Sequence, residues 1–120
     1  MRIINSMNIT VKRVYQKADQ DDGVRILVDR LWPRGLSKDK AEIDQWKKEL
    51  SPSSELRKWY NHDHSKWPDF KDRYFAELSR NSVAVNELLS LCERSKVTFL
   101  FSSKELLLNA YALKEFLEER

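Results

Sequence analysis

Glycine and proline are scarce in this chain, two and three among 120 residues, and cysteine occurs once. So little of either turn former argues against a loop-rich, collagenous or disordered chain. With Cys92 alone, no internal disulfide can form. Together with a start, Met1 to Met7, too short and polar for a secretory signal, this leads us to expect a reducing cytoplasm. No stretch approaches the roughly 18 apolar residues of a membrane helix, so no membrane partner is expected. The G-x-S-x-G elbow, the Walker loop and the G-x-G-x-x-G turn are also missing, which leaves the hydrolases and nucleotide binders built on them unsupported. Long runs of one charge are absent too. The net charge of +3 is spread over interspersed signs, compatible with an anionic partner but weak for nucleic-acid binding by counterion release.

What the chain does have is aromatic: four tryptophans, four tyrosines and five phenylalanines. A domain of this size buries roughly two-thirds of the surface its unfolded chain exposes, enough for one core. No repeat, linker or low-complexity segment divides residues 1–120. Ile9, Val11 and Tyr15 share a parity and predict a half-buried strand near a sheet edge. Gln16 to Gly23 reads as an exposed loop, and Ile26-Leu27-Val28 as an interior strand with helices on each side. Ser37 can cap a short turn, Lys38 to Ala41. Ile43, Trp46 and Leu50 fit a helix, while Asp44, Trp46, Lys48 and Leu50 alternate as a strand would. A short helix to Tyr60 follows Ser51-Pro52-Ser53-Ser54. Pro68 then opens an amphipathic helix with Trp67, Phe70, Tyr74 and Leu78 on one face. Another helix carries Val85, Leu88, Leu89 and Cys92. Val97 to Phe101 is a strongly apolar strand, and Leu106, Ala110, Leu113 and Leu117 stripe a last helix. This order predicts an α/β domain with a small, mostly parallel sheet of about four strands and helices packed on its faces.

Ligands in open α/β sheets sit beyond the carboxyl ends of strands. The segment Asp29-Arg30-Leu31-Trp32-Pro33-Arg34-Gly35 follows the interior strand directly and is the leading candidate. Arg30 and Arg34 offer paired planar donors for a phosphate or carboxylate, and Asp29 can orient a ligand or take a proton. The structural alternative is a buried Asp–Arg pair under Trp32 that only fixes the turn. Ser53, at a helix start, can donate to an anion or simply cap the helix, and Arg57 one turn on can close over the same ligand. Lys104, after the last strand, can add a positive group. His62-Asp63-His64 has too few companions for a metal site, so no metal or cofactor is expected, and His62 fits better as a proton-transfer partner or cap. Cys92 and the aromatic series Trp46, Trp59, Trp67, Phe70 and Tyr74 read as core rather than as a nucleophile and a base-stacking platform.

DRLWPRG (Asp29 to Gly35), W..ELSPS..LR.WY.HD (Trp46 to Asp63) and W..F...Y..EL (Trp67 to Leu78) resemble the YeaO-like bacterial proteins, within a broader family of domains of unknown function. The resemblance covers about residues 8–118. It implies a cytoplasmic α/β domain, a strand ending at Val28-Asp29, and a further strand over Asp44 to Leu50. It implies no established reaction. The cysteine and histidine usual in the broader family after the last strand are replaced here by Ser102-Ser103-Lys104-Glu105. At the start of the last helix, Leu108-Asn109 stands for the Asn-His or Asn-Asn pair usual in YeaO-like members. Chemistry needing that histidine therefore does not carry over. The leading expectation is a small-anion site, enzymatic or sensory. The alternative is an interaction module for nucleic acid or a protein, without chemistry.

Overall fold

Val97–Phe101 (β4) is buried at every position because it runs through the middle of a sheet covered on both faces. The fold is that of a computed structural model, which describes residues 7–104 and 109–120. On one side β4 pairs in parallel with Ile9–Arg13 (β1), from Ile9 opposite Val97 to Arg13 opposite Phe101. On the other it pairs in parallel with Val24–Leu27 (β2), which pairs in parallel with the two-residue strand Gln45–Trp46 (β3). The order is β1-β4-β2-β3, so the predicted edge strand and interior strand occupy those places.

Alternate strand residues feed two cores of unequal size. Ile9, Ile26, Val28, Val97, Phe99 and Phe101 face the helices Ser54–Tyr60 (α2), Trp67–Ser79 (α3), Ser82–Arg94 (α4) and Asn109–Glu118 (α5). Their inward residues include Leu56, Tyr60, Phe70, Tyr74, Leu78, Val85, Leu88, Cys92, Leu113 and Leu117, as the periodicity predicts. Leu106, placed on the last helix's stripe by its spacing, lies outside the described residues. On the opposite face Val14, Leu27 and Leu100 are covered by Trp32, Leu36 and Ile43, with the one-turn helix Lys38–Ala41 (α1) beside them.

Three readings are corrected here. Tyr15 is not on the buried parity. β1 ends at Arg13, the chain turns, and Val14 is buried at 3% exposure while Tyr15 stands at 42%. The segment from Asp44 to Leu50 holds a strand of only two residues. After Lys47 (φ −104°, ψ 58°) it winds into a 3-10 turn, Lys48–Leu50, that drives Leu50 into the core and leaves Trp46 exposed rather than buried. Finally, the loop before β2 is not wholly exposed. Asp22 is buried, accepting from Arg25 Nη1 at 2.5 Å and from Lys12 Nζ at 3.0 Å. Arg25 also donates from Nε and Nη2 to the carbonyls of Glu42 and Ala41, both at 2.9 Å, so each of its three guanidinium nitrogens has a partner.

Candidate functional site

The strands' successors leave the sheet in opposite directions. After β2 the chain passes to the face of Trp32, Leu36 and Ile43, whereas after β4 it returns through α5 to the other face. Between two adjacent parallel strands whose continuations diverge, a crevice must open at their carboxyl ends, the topological switch point of an open α/β sheet. A cleft of about 890 Å³ lies there, lined by both strand ends, the start and end of α2, and Asn109 at the head of α5.

Asp29 forms the junction between the two strand ends. Its Oδ2 accepts from the Ser102 backbone N–H at 2.9 Å and the Ser102 hydroxyl at 3.0 Å, while Oδ1 accepts nothing among the described residues. Burial pushes the Asp29 carboxyl above its ordinary value, against the opposing pull of the Ser102 donors and the nearby Arg57 charge. The expected alternative, a buried Asp29–Arg pair, does not form among the described residues. Arg30 Nη2 donates to the Pro52 carbonyl at 3.1 Å, tying the loop to the entrance of α2, and its buried Nε has no hydrogen-bond partner among the described residues. Arg34 is exposed, and its carbonyl accepts from the Tyr15 hydroxyl at 2.8 Å. Two indoles brace the segment. Trp32 Nε1 donates to the Leu36 carbonyl at 2.7 Å, Trp46 Nε1 donates to the Asp29 carbonyl at 2.8 Å, and the rings meet edge to face at 5.5 Å.

Of the residues singled out in the sequence, Asp29, Arg30, Trp32, Arg34, Arg57, His62 and Lys104 all line this cleft. Ser53 does not. Its backbone N–H and hydroxyl donate to the two carboxylate oxygens of Glu77 on α3, at 2.9 and 2.6 Å, while its oxygen caps Leu56 N–H at 3.1 Å. The protein thus supplies its own carboxylate to the start of α2, and Ser53 caps the helix while both its donors bond to Glu77. Glu77 could have been suspected from the sequence, because it follows Tyr74 by three residues on the buried side of α3.

Arg13, Lys58 and Asn61 line the cleft without having been singled out. Arg13 obeys the rule that nominated Asp29, since it ends β1. Its Nε and Nη2 donate to the Ser102 carbonyl, and Nε also to that of Ser103 at 3.0 Å, fixing the turn after β4. Asn61 and His62 both take left-handed backbone (φ 45° and 58°), a costly pair for residues with a Cβ, at the point where α2 ends on the cleft. Asn109 Nδ2 donates to the Val28 carbonyl at 3.2 Å, so the residue left from the usual pair at the last helix's start closes the floor.

The electrostatics are one-sided. Arg13, Arg30, Arg34, Arg57, Lys58 and Lys104 face a single lining carboxylate, Asp29. That makes the cleft more positive than the +3 of the whole chain, so the remainder is net negative. Cys92 is remote from it on the apolar face of α4, where burial pushes its thiol up to about 12. Among the described residues no group of side chains has the makings of a metal site.

A family profile described as the inactive DUF488-N3 subclade matches residues 8–120. The uncharacterised protein YeaO of Escherichia coli (strain K12) is 44% identical over 98 residues, 82% of this chain and 85% of its own. The uncharacterised proteins Rv3073c of Mycobacterium tuberculosis (strain ATCC 25618 / H37Rv) and Mb3100c of Mycobacterium bovis (strain ATCC BAA-935 / AF2122/97) are each 44% identical over 96 residues, 80% of this chain and 80% of theirs. No solved structure matches the chain.

Proposed function

The chain belongs to the YeaO-like bacterial proteins of the inactive DUF488-N3 subclade, and on that footing we propose that it binds a small phosphate- or carboxylate-bearing ligand in the cleft at the strands' carboxyl ends. The observation that carries this reading is the convergence of six cationic side chains on one concavity at the switch point, opposite one buried carboxylate. Guanidiniums and ammoniums gathered in this way repel one another until an anion joins them. Arg34, Arg57 and Lys104 hold the charge, His62 adds a donor, Trp32 forms a wall, and Asp29 and Arg30 fix the floor. Binding without turnover is favoured over catalysis. The subclade is described as inactive, and the only thiol is buried away from the cleft's lining. A cytoplasmic location is part of the proposal, in keeping with a free buried Cys92 and with no described helix long and apolar enough to cross a membrane.

The interaction-module alternative lacks a comparable feature, because the positive charge lies in a recess rather than along an extended stripe. The test is thermal stabilisation by phosphate, pyrophosphate and citrate at low salt, in wild type and Arg34→Ala. Arg34 is exposed, so the variant should melt as wild type does without ligand and lose most of the ligand-dependent rise. An Arg34→Ala variant that is destabilised without ligand, or a wild type that ignores all three anions, would contradict the reading.

A further inference from the structure

Resting on that anion-binding reading, we infer that the ligand is a nucleotide bearing at least two phosphate charges. Its base lies on the Leu31–Trp32 rim, and its phosphates lie among Arg34, Arg57, Lys58 and Lys104. The first ground is charge. Two of the six cationic groups already donate to the protein, Arg13 to the Ser102 and Ser103 carbonyls and Arg30, through Nη2, to that of Pro52. Among the described residues, the other four have no ion pair and no side-chain hydrogen bond, and only the nearby carboxylate of Asp29 offsets Arg57. A singly charged ligand leaves most of that charge unmatched, whereas a diphosphate offers oxygens to all four.

Size is the second ground. A cleft of about 890 Å³ falls within the roughly 300–1,000 Å³ typical of sites for organic ligands. An inorganic ion would leave it mostly filled with water. The third ground is the rim. Leu31 is 68% exposed and lines the cleft, as do Tyr15 and Trp32. An isolated exposed leucine needs no explanation, but one that shares the lining of a basic cleft with two aromatic residues offers that cleft an apolar ledge. Trp32 is already held by Leu36 and Trp46, so stacking on it costs little ordering. A ledge of this kind accepts any flat base without reading its edges. With the phosphates held by side chains, no glycine-rich phosphate loop is needed, consistent with its absence from the sequence.

Calorimetric titration of the full chain with ADP, GDP, CDP, UDP, pyrophosphate, citrate and adenosine, at one low salt concentration, tests the inference. The four nucleoside diphosphates should each bind about tenfold more tightly than pyrophosphate, and adenosine should not bind. Leu31→Ser changes an exposed side chain and should abolish the preference for nucleotides over pyrophosphate. Arg57→Ala should weaken pyrophosphate and the nucleotides by the same factor. If pyrophosphate or citrate binds as well as the nucleotides, or Leu31→Ser leaves the preference intact, the nucleotide assignment is overturned and the anion site stands. If none of the anions binds, both fall.

Discussion

Asp22 precedes β2 and Asp29 follows it, yet folding moves their acidities in opposite directions. At Asp29 burial is the larger effect, so the folded protein holds that proton more tightly than the unfolded chain does. The stability this contributes is present below about pH 3.8 and is lost as pH rises through the folded value. Asp29→Asn keeps an acceptor for both Ser102 donors and removes the ionisation. In urea melts the variant should therefore gain on wild type as pH rises from about 3.8 through the folded value and level off above it, whereas a constant offset would show that the carboxylate's charge is not what the fold resists. At Asp22 burial also pushes upward, but the Asp19 backbone N–H, Lys12 and Arg25 together outweigh it and hold the carboxyl below its ordinary value. Its contribution is present above about pH 3.8 and disappears as pH falls through the folded value. Asp22→Ala leaves the Arg25 guanidinium buried beside nothing but carbonyls, which should cost about 3–5 kcal/mol near neutral pH. A loss well under 1 kcal/mol would mean that water replaces the carboxylate. The sequence offered Asp29 for inspection because it ends a strand, but it hid Asp22 inside a run of loop aspartates. Nothing in that run distinguishes the one residue whose partners, Lys12 and Arg25, arrive from strands on either side of β4.

Elements were legible where capping and periodicity agree. Ser37 and Ser53 cap α1 and α2 as their chemistry suggests, Pro68 sits in the first turn of α3, and the stripes of α3 and α4 face the core. The stretch around Trp46 resisted because its fold depends on tertiary bonds. Asp44 N–H donates to the Arg25 carbonyl and Lys47 N–H to that of Leu27, and between them only two residues need be extended. The Glu77 contact likewise joins residues 24 apart. Its loss should be felt in α2 alone. Glu77→Ala is expected to remove about 1–3 kcal/mol and to speed hydrogen exchange of residues 54–60 without changing that of β4. Uniform acceleration across the molecule would refute a local role. At the opposite end of β2, Gly23 has φ +65°, and a Cβ there would lie 2.2 Å from the Lys96 carbonyl oxygen. Gly23→Ala must therefore move the β2–β4 junction, and a thermal melt should fall by several degrees. An unchanged melt would mean that the two strands separate there at no cost.

For the whole molecule, composition and element order were enough for a single α/β domain with a mostly parallel sheet. They could not reveal that β4, last in sequence, threads between β1 and β2, because strand neighbours are chosen by long-range burial. That threading sets the switch point between Val28-Asp29 and Phe101-Ser102 and brings together side chains from four segments. Seven of the eight candidate site residues therefore line one cleft, while Ser53 is diverted by a carboxylate its local sequence does not mention. The charge separation between a basic cleft and a net negative remainder is a property of the assembled fold, and the affinity for the proposed anion should accordingly fall with salt. The most direct test is a heteronuclear NMR titration of the full chain with pyrophosphate at low ionic strength. The amides of residues 30–34, 57–62 and 102–104 should shift together along one saturable curve, and the shifts should vanish in Arg34→Ala. Shifts absent from these three segments, or centred on α4 and the far end of the sheet, would contradict the account.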